Sequence, residues 1–141
     1  PGALSNNFAL AEMINPIWAG CIAASDPSYK AWLTKHQIPN FSWSSQGRGF
    51  FTDRAGRDKR DNAELVNTWY SEANFSRRDR AIELADKLKV SPIHIALAYV
   101  LAQPFPSVPL IGPRRLVELD DSLKALSIKL TPEQVKWLEQ G

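Results

Sequence analysis

The sequence predicts an α/β protein with parallel strands, and three observations carry that expectation. Two short runs rich in apolar residues, residues 39–44 and 108–112, are bounded by Pro, Gly or Ser and read as buried strands. Between and after them, apolar residues recur every three or four positions, the mark of amphipathic helices. Strand and helix alternate along the chain, which favours βαβ units over hairpins. The chain has 141 residues, 17 Lys+Arg against 15 Asp+Glu, 44% hydrophobic residues and one cysteine. That composition excludes a disordered tail, a collagen repeat and a disulfide scaffold. The length suits one domain at most.

Each element has local support. Residues 4–8 read as the end of a strand and residues 9–14 as a short helix. Asp26-Pro27 is an N-cap followed by a first-turn proline, opening a helix that carries Ala31, Trp32 and His36. Residues 47–61, rich in Gly, Arg and Asp, read as a long loop. Residues 62–72 read as one helix with Leu65, Val66, Trp69 and Tyr70 as its stripe. Ser76 is the expected cap of the next helix, with Ala81, Ile82, Ala85 and Leu88 inward. Ser91-Pro92 opens another, and Pro104 ends it. Leu116, Leu119, Leu123 and Leu126 form an apolar stripe after the second strand. Thr131-Pro132-Glu133-Gln134 has the spacing of a capping box, with Val135 and Leu138 facing inward.

Two strand ends could bind a ligand. At Gly112-Pro113-Arg114-Arg115 a strand ends in Gly and a helix is expected to begin at once. Helix N-termini offer free N–H groups, and arginines offer forked cationic donors, so this turn suits a phosphate. A tight turn with two solvated arginines is the alternative. At residues 42–49, Trp43 offers a flat face, with Ser44 and Gln46 as polar neighbours. A tryptophan in a barrel or sheet core is the alternative there. No Gly-Lys-Ser/Thr ending makes that segment a P-loop. His94 reads as a surface or packing residue. The basic residues at 54–60 and 77–80 are interleaved with acids and read as solvated. No Cys/His cluster has metal spacing, and no pair of carboxylates stands out as acid and base. The residues therefore offer a binding edge and no catalytic group.

The order of these segments resembles the C-terminal part of the aldo-keto reductases. Residues 91–104 followed by 108–115 resemble the family's last long helix, eighth strand and Gly-x-Arg turn. Leu116, Leu119, Leu123 and Leu130-Thr131-Pro132-Glu133 resemble the helix and segment after that turn. Residues 41–47 resemble its seventh-strand motif, and residues 5–10 its sixth-strand segment. The resemblance covers nearly the whole chain.

It implies the C-terminal portion of a (β/α)8 TIM barrel, with about three parallel strands and their helices. Residues 1–141 would then be a partial domain, strands six to eight without the N-terminal half. It implies a nicotinamide cofactor, NADP with NAD as the alternative, and hydride transfer to or from a small-molecule carbonyl. Asn7 stands where the family has an amide for the carboxamide, and Trp43 where an aromatic stacks on nicotinamide. Ser44, Gln46 and Gly47 match the loop at the pyrophosphate. Gly112, Pro113 and Arg114 match the turn for the 2′-phosphate, and Asp121 and Ser122 the adenine end.

Three positions depart from the family pattern: Asn7 for the commoner Gln, Pro113 for a hydroxyl residue and Ser122 for Asn. The family's catalytic Asp, Tyr, Lys and His lie on the first half of its barrel and have no match here, so the chain alone is expected to be inactive. A non-catalytic nucleotide-binding or protein-interaction module is the alternative.

Three parallel strands leave open edges, expected to be covered by a missing half or a second copy. A net charge of +2 with no basic stripe argues against nucleic acid. No apolar stretch reaches the ~18–20 residues a bilayer needs, so no membrane partner is expected. Absence of a targeting segment and the lone Cys21 favour a cytoplasmic location. The sequence starts without Met, which leaves room for a longer parent.

Overall fold

The computed structural model describes residues 2–141; Pro1 lies outside the described residues. Strand β1 (Asn40–Ser42) pairs in parallel with β2 (Ser107–Pro109), in the register Asn40↔Ser107, Phe41↔Val108, Ser42↔Pro109. On the other side of β1, Leu4 pairs in parallel with Asn40 and Asn7 with Trp43. Three parallel extended segments therefore lie side by side, as the sequence suggested. Asn7 also pairs with Ala23, so the outer edge is partly covered.

Helices surround this sheet, and their starts follow local chemistry. Helix α1 (Pro27–His36) begins where Asp26 accepts the N–H groups of Ser28 and Tyr29, both at 3.0 Å. The single helix expected over residues 62–72 is two elements. Helix α2 (Ala63–Trp69) starts at Asn62 and stops at Tyr70, whose φ −80 and ψ 96 are extended. Helix α3 (Glu72–Leu88) starts at Ser71, whose hydroxyl accepts Asn74 N–H at 3.0 Å. Ser76, the expected cap, therefore sits inside α3. Buried Asn74 supports the break by donating to Trp69 O at 2.8 Å, a carbonyl that α2 leaves unpaired.

Helix α4 (Pro92–Leu101) packs against both α3 and β2. Helix α5 (Leu116–Leu123) runs into a 3₁₀ turn, Lys124–Ser127. Helix α6 (Pro132–Gln140) has the expected capping box, Thr131 accepting Gln134 N–H at 3.1 Å. Residues 9–14 are not helical. Their backbone groups are taken by α2 and α3 instead: Asn74 binds the Glu12 N–H and C=O at 2.9 and 2.8 Å. Ile14 N–H goes to Thr68 O at 2.8 Å.

The core lies between the sheet and α3, α4 and α6. Phe8 stacks on Tyr99 with ring centroids 5.7 Å apart, and Phe50 meets Phe75 at 5.2 Å. Asn40 and Ser42 are fully buried toward this core, while Phe41, Val108 and Leu110 are exposed. Side chains alternate along a strand, so the exposed three share the opposite sheet face. The leucine stripe after β2 is also uncovered: α5 contains no buried residue, and Leu116 is 80% exposed. Among the described residues no helix is long and apolar enough to cross a membrane.

Candidate functional site

The C-terminal ends of β1 and β2 open into one cleft of about 1200 Å³. Its first wall is the loop after Trp43. Ser44 and Arg48 hold φ of 50 and 52, and Gly49 holds φ 98, all in the left-handed region. Such backbone is costly for side-chain-bearing residues and needs support from its surroundings. Ser44 O accepts Gly47 N–H at 3.0 Å, and Ser44 Oγ accepts from Arg48 Nε at 2.9 Å. Arg78 of α3 donates to three loop carbonyls, Phe50, Thr52 and Ala55, at 2.9, 3.1 and 2.9 Å. At Gly49 a Cβ would fall 2.1 Å from Arg54 Nη2, so only glycine lets the Arg54 guanidinium lie against this backbone. Ser45 Oγ donates to Leu110 O at 2.8 Å and ties the two walls together.

The second wall runs over residues 110–115. Gly112 has open space where a Cβ would point, so no protein atom requires glycine there. The helix does not begin at Gly112 as expected; α5 starts at Leu116, with Arg115 as its N-cap. The two N–H groups just before it are occupied. Glu118 Oε2 accepts the N–H of Arg114 at 2.7 Å and of Arg115 at 3.3 Å. Those bonds, Arg114's first, hold the Glu118 carboxyl below its ordinary pKa.

The charges lining the cleft are mostly paired. Arg48 meets Glu64 at 3.0 Å, and Arg115 meets Glu118 at 3.2 Å. Arg54, Arg114 and Asp53 also line it, and among the described residues none of the three is in an ion pair. Two guanidinium groups outside any ion pair thus line one space, an arrangement that suits phosphate oxygens. At the far end, burial raises the Asp121 pKa, but His94 and then Lys124 outweigh it and hold the carboxyl low.

The structure brings Ser44, Gln46, Gly112, Pro113, Arg114, Asp121 and Ser122 to this cleft. Gly47 is buried behind the first wall, in the turn itself. Trp43 sits beside the cleft and stacks on Trp18, with centroids 4.6 Å apart and planes at 27°. One face of the expected stacking platform is therefore already covered. Asn7 is 1% exposed, donates Nδ2 to Trp43 O at 3.0 Å, and leaves Oδ1 without a partner. Arg48, Thr52 and Arg54 also line the cleft. Arg54 is flanked by acids in sequence, as a solvated basic residue would be, and no motif marks it as a lining residue. Arg57 behaves as expected of a surface residue, pairing with Glu72 and Asp79 at 2.7 and 2.9 Å. Arg77 and Arg80 are not solvated: they donate to Leu10 O and Leu138 O at 3.0 and 3.1 Å.

A dinucleotide fits what these residues offer. The two guanidinium groups outside any ion pair match phosphates, whereas Asn7 Oδ1 is buried and does not line the cleft. Among the described residues no cluster of three His, Cys, Asp or Glu could hold a metal.

Comparison with known proteins bears on the family and the fold. The family model described as "Aldo/keto reductase family" matches residues 28–140. A Saccharomyces cerevisiae protein named "Putative aryl-alcohol dehydrogenase YFL057C" is 35% identical over 106 residues, 69% of this chain and 68% of its own. A second yeast protein of the same name type, AAD10, is 33% identical, and the matched segment is 36% of its length. Versiconal hemiacetal acetate reductase of Aspergillus parasiticus is 34% identical over 76 residues, 54% of this chain and 22% of its own. Among solved structures, a thermostable aldo-keto reductase with the inhibitor epalrestat superposes with a TM-score of 0.64 at 16% identity. That match covers 96% of this chain and 38% of that one. The fold is thus a portion of the aldo-keto reductase TIM barrel. With its family model matching most of its length, the chain belongs to the aldo/keto reductase family.

Proposed function

We propose that the cleft binds a nicotinamide dinucleotide, NADP in preference to NAD, as part of an oxidoreductase acting on a carbonyl or alcohol. The observation that carries this reading is the pair of guanidinium groups outside any ion pair, Arg54 and Arg114, on opposite walls of one cleft at the C-terminal ends of adjacent parallel strands. In TIM barrels that end of the strands carries the site. Arg114 would hold the 2′-phosphate, Arg54 with Ser44 and Gln46 the pyrophosphate. Asn7 and Trp43 would orient the nicotinamide, and Asp121 with Ser122 would meet the adenine. When bound, the cofactor supplies the hydride.

Carbonyl reduction also needs a proton donor. Among the described residues the cleft is lined by no Tyr, Lys or His, and its arginines do not release protons. The chain is therefore proposed to bind the cofactor without reducing a carbonyl by itself. A cytoplasmic location is proposed with this reading.

Titration of tryptophan fluorescence with NADP+ and NAD+ tests the binding. Saturable quenching is expected for both, tighter for NADP+. Arg114→Ala should weaken NADP+ roughly 10- to 100-fold, the worth of charge-assisted bonds, and NAD+ far less. Absence of saturable quenching by either ligand sinks the proposal. Carbonyl-dependent loss of NADPH absorbance on the purified chain would sink the claim of inactivity alone.

A further inference from the structure

Trp18 is a large apolar side chain that the proposed function leaves unused, and it lies on the ring which that function assigns to nicotinamide. Its indole stacks on Trp43 with centroids 4.6 Å apart and planes at 27°. Trp43 adjoins Ser44, which lines the cleft, yet Trp43 itself does not line it. The cleft stops short of the stacked pair.

The two partners are held very differently. Trp43 is fixed through the sheet. Its C=O accepts Asn7 Nδ2 at 3.0 Å, Asn7 is 1% exposed, and the two residues form a parallel bridge. Trp18 is 50% exposed and opens a turn closed by Cys21 N–H on Trp18 O at 3.3 Å. Before this turn Ile17 packs against the core, and after it Ile22 O accepts Asn7 N–H at 3.3 Å. Among the described residues, no backbone hydrogen bond joins residues 18–21 to the rest of the chain. A segment with so few ties opens locally at little cost. The Trp18 indole can therefore leave Trp43 with the stack as its main loss, whereas Trp43 cannot move without disturbing the sheet.

We infer that Trp18 is a built-in competitor for the nicotinamide ring: indole and nicotinamide take the same face of Trp43 in turn. The inference rests on the reading of the cleft as a dinucleotide site with Trp43 at its nicotinamide end. Both rings are planar and aromatic, and each gains by stacking on an indole face. Only one can do so on a given face. Trp18 therefore sets how much the nicotinamide half adds to binding. It weakens ligands that carry the ring and leaves alone those that end at the second ribose.

Two ligands separate these cases: NADP+, and 2′-phosphoadenosine diphosphoribose, which lacks only the nicotinamide ring. Two stacked indoles give an exciton couplet in far-ultraviolet circular dichroism. The wild type should show it and Trp18→Ala should not. Saturating NADP+ should abolish the wild-type couplet, and the ring-less ligand should leave it. This reading needs no variant to fold. By calorimetry, Trp18→Ala should bind NADP+ roughly 2- to 10-fold more tightly, the worth of one aromatic pair. Its affinity for the ring-less ligand should not change. Weaker or unchanged NADP+ binding by Trp18→Ala overturns the inference, the weaker case making Trp18 a support behind Trp43. A wild type without the couplet, or equal couplet loss with both ligands, also overturns it. Binding of both ligands with the couplet intact defeats the competition and leaves the cleft reading standing. Binding of neither defeats both.

Discussion

Glu118 accepts the N–H groups of Arg114 and Arg115 through Oε2 while Oε1 faces the Arg115 guanidinium at 3.2 Å. Its pKa is lowered in the folded chain, first by the Arg114 bond. A lowered carboxyl pKa adds stability that is present above the unfolded value and is lost as pH falls through the folded value. Acidification from the ordinary Glu pKa downward should therefore release the start of α5. The Arg114 and Arg115 amide resonances should titrate over that window, and Glu118→Gln should flatten the profile. The same titration in the variant would show that another group is responsible. Arg54 shows a limit at this scale. Its neighbours in sequence are acids, yet its guanidinium rests on Gly49 at the cleft, a placement that depends on a left-handed backbone no motif announces.

Among the elements, caps were the most legible feature. Asp26, Ser91 and Thr131 start helices where the sequence put them, because each cap is a contact within about four residues. Ser76 failed because two serines five residues apart compete, and buried Asn74 settles the matter in favour of Ser71. The loop over residues 50–55 takes its shape from Arg78, far along the chain. Arg78→Met should cost about 2–3 kcal/mol in urea denaturation, since three carbonyls lose a charged donor. It should also expose residues 50–56 to limited proteolysis; unchanged stability and cleavage would contradict this role. The two C-terminal helices should respond oppositely. Leu138 of α6 is fully buried, so Leu138→Ala should cost about 2–5 kcal/mol. Leu123 of α5 is 48% exposed, so Leu123→Lys should stay within roughly 0.5 kcal/mol. A large loss at Leu123 would mean that the stripe is covered in solution.

For the whole molecule, the open sheet face is the feature whose behaviour in solution can be tested. Phe41, Val108 and Leu110 share it, and β2 has a free edge. Exposed apolar strand surface favours association. We expect this face to be covered by a second copy or by the rest of a barrel. Sedimentation should then show concentration-dependent association that Val108→Lys reduces without loss of helical signal. A well-folded monomer at high dilution, unaffected by that change, would argue against it.

Periodicity, caps and segment order by themselves determined the α/β class, the parallel strand order and most helix starts. These depend on contacts within a few residues or on the alternation of apolar faces, and both are written locally. Only the tertiary structure decided that Glu118 takes the Arg114 and Arg115 N–H groups, that Trp18 covers one face of Trp43, and that Arg54 joins Arg114 across a cleft. It also decided that the α5 stripe stays uncovered. These outcomes join residues distant along the chain, or turn on which of several nearby partners a charge meets, and packing sets that choice rather than spacing.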